Sequence, residues 1–230
     1  MLKPCEDLYD EILSGVKDRV ASGASKAKLG IICNGGKANA AMVKALAKDC
    51  ETCGVPCVQW IGNDVFGAVL ALNAQDCTSI VVADPLNDDR SEIAQAVHRL
   101  LVANGLDVYD GVDCVVQIIG RGKVGKAVRK LLESRGYTII TCHSKTSSDS
   151  IFWMSEEADA IVTCTNKPNQ FDSESFRNAN ALIIDCGFEY EDGRPCGNVV
   201  QGSYYNQTPV PGGVTKLTRA VMVANAERRI

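Results

Sequence analysis

The stretch "VVQIIGRGKVGKAV" places Gly120, Gly122 and Gly125 in G-x-G-x-x-G spacing, directly after an apolar run and at the opening of a helical one. Such a turn holds a ligand rather than breaking a bond. The first glycine permits the tight turn, the second lets the backbone approach a pyrophosphate, and the third lets helix pack on strand. The helix N-terminus then offers its unpaired N–H groups to the phosphates. The bland alternative is a structural glycine turn. About twenty residues on, where an NAD site carries an acid for the ribose hydroxyls, the sequence instead reads "CHSKT". His143, Ser144 and Lys145 stand there, with Arg121 and Lys123 inside the turn itself. A guanidinium, a hydroxyl and an ammonium suit a 2′-phosphate, so these residues favour NADP over NAD. A merely solvated polar loop is the competing reading.

A second stretch, "TPVPGGVTKLT" from Thr208 to Thr218, cannot lie inside a regular element, because two prolines bracket a valine and two glycines follow. A loop so constrained shapes either a tight turn or the wall of a ligand site. A third, "CETCGVPC", groups Cys50, Cys53 and Cys57. Both histidines are distant from it and no second paired-cysteine motif accompanies it, so packing thiols are favoured over a metal or redox site, and no metal is expected.

These residues need elements to position them, and the chain supplies an alternating series. An amphipathic helix over about Glu6 to Val20 precedes a strand in "KLGIIC", a helix from Asn39 to Cys53 and a strand in "VPCVQWI". "DVFGAVLALNA" reads as a helix, "SIVVA" as a strand and Ser91 to Ala103 as a helix. From Asp113 a second series begins: a strand in "DCVVQIIG", a helix from Val124 to Arg135, then strands in "YTIITC", "ADAIVTCT" and "NALIIDCG". The rhythm predicts an α/β protein of two domains, a Rossmann-type domain with a parallel sheet over 109–213 and a smaller α/β domain over 1–108. The boundary is expected in "NGLDVYDGVD". The last helix, 214–230, is expected to return to the first domain.

Composition agrees with an ordinary globular chain of 230 residues, 46% hydrophobic and 23% charged, with net charge -4. A mildly acidic balance gives no reason to expect nucleic acid or an anionic membrane as a partner. The opening "MLKPCEDLYDEILSGVKDRV" reads as neither signal peptide nor membrane span, so a cytoplasmic location is expected. Eleven cysteines are then read as reduced thiols, and Cys33, Cys114, Cys142, Cys164 and Cys186 fall in or at the ends of strand-like runs.

Taken in order, "TPVPGGV", "IIGRGKVGKAV", "TCHSKT", "ADAIVTCTNKP" and "LIIDCGFEYEDGRPCGNV", with "AKDCETCGV" and "LNAQDCTSIVVADPL" earlier, resemble the bifunctional methylenetetrahydrofolate dehydrogenase/methenyltetrahydrofolate cyclohydrolase family over nearly the whole chain. The resemblance implies folate bound on the first domain, NADP on the second, a cleft between them and a homodimer formed through the cofactor domain. It implies that Gly120, Arg121 and Gly122 touch the cofactor, that Ser144 lies near the 2′-phosphate and Phe188 near the nicotinamide, and that Thr165 belongs to the same set. Pro209, Pro211, Gly212 and Gly213 would wall the substrate pocket.

The resemblance has gaps. The family's catalytic tyrosine and lysine, four residues apart on one helical face, fall at Met42 and Leu46, and its glutamine falls at Ala83. Lys44 and Lys48 are each two positions off. The family's folate-binding aspartate segment is missing, "LDVYDG" being its nearest remnant. The final loop reads "GGVTKLT" where the family has Gly-Pro after the valine, and the glycine turn is one residue short. General acid–base help is worth roughly a hundredfold to ten-thousandfold in rate, so little cyclohydrolase activity is expected, whereas hydride transfer relies mainly on the cofactor. Three functions follow: an NADP-dependent methylenetetrahydrofolate dehydrogenase-type oxidoreductase; a non-catalytic NADP-binding or partner-binding member; or an oxidoreductase for a different small substrate.

Overall fold

The computed structural model of the chain describes residues 4–35, 37–83, 91–109 and 113–227. The end of the expected "VVADPL" segment and residues 110–112 of the expected boundary loop lie outside these residues. The chain divides into two compact units, each drawn from separated segments: Tyr9–Asp88 with Arg219–Ile230, and Met1–Leu8 with Asp89–Thr218.

The smaller unit is built from α1 (Cys5–Ala21, from Tyr9 on), β1 (Leu29–Cys33), α2 (Lys37–Cys53), β2 (Cys57–Ile61), α3 (Val65–Asn73), β3 (Ser79–Val82) and the later part of α7 (Val214–Asn225). Its sheet is parallel in the order β2-β1-β3. Central β1 is buried at every position, which is why "LGIIC" carries no polar side chain except its thiol. Helix α2 buries Val43, Leu46, Cys50 and Cys53, a stripe at spacings of three and four. The late part of α7 is tied in by polar contacts. Arg219 Nε donates to Asp49 Oδ2 at 2.8 Å, Tyr9 Oη donates to Asp49 Oδ1 at 2.6 Å, and Thr78 Oγ1 donates to the Ala226 carbonyl at 2.7 Å.

The larger unit contains α4 (Ser91–Ala103), β4 (Val115–Ile119), α5 (Lys123–Ser134), β5 (Thr138–Cys142), α6 (Ser148–Met154), β6 (Ala160–Thr163), β7 (Leu182–Asp185) and a hairpin of β8 (Glu189–Glu191) and β9 (Arg194–Cys196). Four parallel strands run in the order β5-β4-β6-β7. Because β5 lies on one side of β4 and β6 on the other, the strand order reverses at β4, the place where ligands enter open α/β sheets. Strands β6 and β7 are buried throughout. Ile119, Ile161, Ile183, Phe171, Phe176 and Tyr204 are among the core on this sheet. Helix α4 packs on α5 within this unit, and His98 meets the Tyr137 ring edge-on at 5.9 Å.

Candidate nucleotide-binding site

The four loops after β4, β5, β6 and β7 leave the carboxyl ends of parallel strands and so share one edge of the sheet. The first is the glycine turn, and its three glycines differ in what requires them. Gly120 has φ of 121°, and a Cβ there would lie 2.3 Å from the Cys164 carbonyl oxygen. At Gly125 a Cβ would lie 2.0 Å from the Gly120 carbonyl oxygen. Both are demanded by the protein's own backbone. Gly122 is not: its φ of -75° is open to any residue, and a Cβ would meet nothing within 4 Å. The space above it is empty of protein, which is where the second glycine of such a turn admits a pyrophosphate.

Gly122 is also the N-cap of α5, with no side chain capping the helix and no acid in its first turn. The first N–H groups of an α-helix have no partner within it. Here they sit beside the open space and supply positive polarity to an anion. Arg121 and Lys123 are exposed at the same turn.

After β5, the loop 143–146 is wound tightly. His143 N donates to Thr146 Oγ1 at 3.0 Å, Thr146 N to the His143 carbonyl at 2.8 Å, and Lys145 N to His143 Nδ1 at 3.2 Å. His143 thus serves the loop's own backbone, whereas Ser144 and Lys145 are exposed at its tip. Next to this loop an open cavity of about 380 Å³ is lined by Thr146, Asp149, Phe152, Phe171, Asp172 and Glu174, among others.

After β6 and β7 a buried polar hub fixes the remaining loops. Asp185 is 1% exposed. Its carboxylate accepts from Thr163 Oγ1 (3.1 Å), Gly187 N (2.8 Å), Asn198 N (3.1 Å) and Val199 N (2.9 Å). Burial pushes its carboxyl above the ordinary range, and the backbone N–H groups oppose that shift. Asn198 in turn accepts from Thr165 N at 2.9 Å and donates to the carbonyls of Thr165 (2.9 Å) and Lys167 (3.1 Å). Thr165 and the base of the Phe188 loop are therefore held by one network. Phe188 itself is 42% exposed and meets Tyr190 edge-on at 5.8 Å. Sequence reading passed over Asp185 and Asn198, whose partners converge only in the fold.

The stretch "TPVPGGV" belongs to the same unit. Thr208 is buried, its N donating to the Ile183 carbonyl and its Oγ1 accepting from Asp185 N, both at 2.9 Å. Val210 N donates to Gln201 Oε1 at 3.1 Å, and the Val210–Pro211 bond is cis. The loop folds back so closely that a Cβ at Gly213 would lie 2.3 Å from the Pro209 carbonyl oxygen. Pro209 and Pro211 are exposed, Gly212 is half-buried and Gly213 buried. The loop is thus anchored to β7 and presents its two prolines outward.

The substrate-side residues inferred from the sequence lie in the smaller unit. Met42 is half-buried; Leu46 and Ala83 are buried, Leu46 with no exposed surface. Leu46 sits on the α2 stripe with Val43 and Cys50, as core. Lys44 and Lys48 are exposed. The cluster Cys50, Cys53 and Cys57 lies here too. A hydrogen bond between the Cys50 and Cys57 thiols lowers Cys57 to about 7 and, with burial, raises Cys50. Among the described residues no group of three or more His, Cys, Asp or Glu is arranged to hold a metal ion, and all eleven cysteines are free thiols. No helix among them is long and apolar enough to cross a membrane.

The parallel sheet, the glycine turn and the uncapped α5 N-terminus define a dinucleotide-binding α/β unit. Residues 91–229 match the family model "Tetrahydrofolate dehydrogenase/cyclohydrolase, NAD(P)-binding domain", and the chain belongs to that family. "Bifunctional protein FolD" of Clostridium tetani is 36% identical over 113 residues, 47% of this chain and 40% of the relative. The FolD protein of Oenococcus oeni is 26% identical over 259 aligned residues, 93% of this chain and 90% of that one. A solved methylenetetrahydrofolate dehydrogenase-cyclohydrolase (FolD) of Trypanosoma brucei, complexed with NADP cofactor and inhibitor, superposes with a TM-score of 0.78 at 22% identity, covering 98% of this chain and 95% of that chain. In the Clostridium relatives the match spans only 40% of their own length.

Proposed function

We propose that the larger unit binds NADP and that the protein is an NADP-dependent oxidoreductase of the methylenetetrahydrofolate dehydrogenase type, with the cyclohydrolase step lost. One observation carries the nucleotide reading: Gly122 leaves open a space that no packing requirement of the protein explains, at the foot of an uncapped helix. In that space the N–H groups of α5 hold the pyrophosphate. Arg121, Ser144 and Lys145, a guanidinium, a hydroxyl and an ammonium without a carboxylate between them, select the 2′-phosphorylated form. The nicotinamide, when bound, supplies hydride acceptance, so the chain's part is orientation. Phe188 and Thr165, held through Asp185 and Asn198, offer a rigid frame for that ring. Met42, Leu46 and Ala83 cannot exchange a proton, and Leu46 is packed in the core, so water addition to a methenyl product has no general base there. Incubation of the purified protein with methylenetetrahydrofolate and NADP is expected to generate NADPH absorbance. No absorbance change at enzyme concentrations matching the substrate overturns the oxidoreductase reading.

The lack of a proton-exchanging side chain at Met42, Leu46 and Ala83 also supports a second reading, a non-catalytic NADP-binding or partner-binding member of the family. Calorimetry separates the two: NADP binding together with folate binding supports the enzyme, and NADP binding with none for any folate supports the docking protein. The solution state is proposed to be a homodimer, to be read by light scattering.

A further inference from the structure

We propose that Cys164 and Cys186 form an oxidisable dithiol, a modification site at the carboxyl edge of the β5-β4-β6-β7 sheet, and that its disulfide form disturbs the glycine turn. The register of β6 and β7 ends at Thr163 opposite Asp185, so the two cysteines are the next facing pair. Backbone bonds hold them there: Cys186 N donates to the Thr163 carbonyl at 2.9 Å and Cys164 N to the Ile119 carbonyl at 2.8 Å. Adjacent strands lie about 4.8 Å apart, inside the roughly 4.4–6.8 Å separation of Cα atoms that a disulfide spans. Both residues are half-buried, whereas Cys33, Cys114 and Cys142 at other strand ends are buried.

The chemistry balances with a hydroperoxide as oxidant. Interaction with the neighbouring Cys164 thiol, and then burial, raise the Cys186 thiol, so Cys186 keeps its proton in the first step. The Cys164 sulfur attacks hydrogen peroxide, its proton leaving with the displaced hydroxyl as water, and becomes a sulfenic acid. The Cys186 sulfur then attacks the Cys164 sulfur as its proton leaves with the departing hydroxyl as water. Two thiols are oxidised, one peroxide is reduced, and an S–S bond forms.

The coupling to the turn runs through backbone contacts. A Cβ at Gly120 would lie 2.3 Å from the Cys164 carbonyl oxygen and 3.3 Å from its Cβ. A link to Cys186 draws Cys164 toward β7 and away from β4, which loads the bond from Cys164 N to the Ile119 carbonyl and loosens the contact beneath the turn.

Reduced protein carrying Cys57→Ser, which removes the Cys50–Cys57 thiol pair, is treated with hydrogen peroxide, alkylated, and digested without reduction. A peptide linking Cys164 to Cys186, absent in the further Cys186→Ser variant, is expected. Both cysteines recovered separately alkylated, or Cys164 over-oxidised with Cys186 free, overturns the proposal. A second arm, which rests on the nucleotide reading above, titrates NADP. Oxidation is expected to weaken binding at least tenfold where the link forms and not in Cys186→Ser. A linked protein that binds NADP as the reduced form does refutes the coupling. Reduced protein that binds no NADP refutes the nucleotide reading instead and leaves the peptide map to decide the dithiol.

Discussion

Replacing two glycines of the same turn by alanine separates what the fold needs from what the ligand needs. At Gly125 an added Cβ lands 2.0 Å from the Gly120 carbonyl oxygen and 2.9 Å from its carbon, backbone atoms that no rotamer change can move. Overpacking of this kind costs about 1–3 kcal/mol. For a domain of this size each kcal/mol lowers Tm by about 2–4 °C, so Gly125→Ala is expected to melt several degrees early. At Gly122 the Cβ meets nothing within 4 Å and φ is -75°, so Gly122→Ala should move stability by no more than about 1 kcal/mol, the gain through the unfolded chain offset by alanine's poorer N-cap. That methyl projects into the space assigned to the pyrophosphate, and a backbone donor forced away from its phosphate costs about 1.5–3 kcal/mol, a tenfold or greater loss of affinity. Thermal melts with NADP calorimetry on both variants read the two effects. Wild-type NADP affinity in a stable Gly122→Ala protein refutes the placement of the phosphates.

Other expectations follow from the same geometry. Arg121→Ala should weaken NADP far more than NAD in parallel titrations; an equal loss removes Arg121 from the 2′-phosphate. Removing Arg219 leaves the buried Asp49 carboxylate with Tyr9 as its remaining side-chain partner, so Arg219→Met should cost about 3–5 kcal/mol in urea unfolding, with the added Asp49→Asn change recovering part of it. His98 is held below its ordinary value of 6.5 by burial and by Arg135, so the native state resists its protonation. The stability it contributes is complete above the unfolded imidazole's value and falls as pH drops through it toward the lower native one. The pH-stability slope there should flatten in His98→Gln.

Much of this was legible in the chain because periodicity and glycine spacing report local geometry directly. The helix at Ser91–Ala103 and the buried strands announce themselves through uninterrupted or regularly spaced apolar residues, and G-x-G-x-x-G before a helix is a local pattern. Helix α6 was missed because "SDSIFWM" is short and sits in a serine-rich stretch; its signal is the cap, Ser147 accepting from Ser150 N at 3.1 Å. The β8–β9 hairpin carried a readable Asp-Gly turn, with positive φ at Asp192 and Gly193. The Asp185 hub was illegible for a different reason. Its donors come from positions 163, 187, 198 and 199, which no periodicity links, and only the fold brings their N–H and hydroxyl groups to one carboxylate. On the substrate side, equal spacing could place Met42 and Leu46 on one helix but not reveal that Leu46 belongs to the core.

The pairing of Asp49 with Arg219 joins residues 170 positions apart, and this sets a timetable during translation. Asp49 and the sheet around it emerge early but must wait, with a charge destined for burial, until the last turns of α7 leave the ribosome. The nucleotide-type sheet, whose segments run only to Thr218, can close before the smaller unit is finished. A chain clipped before Arg219 would lack the charged partner of Asp49 in the smaller unit while keeping every segment of the larger one.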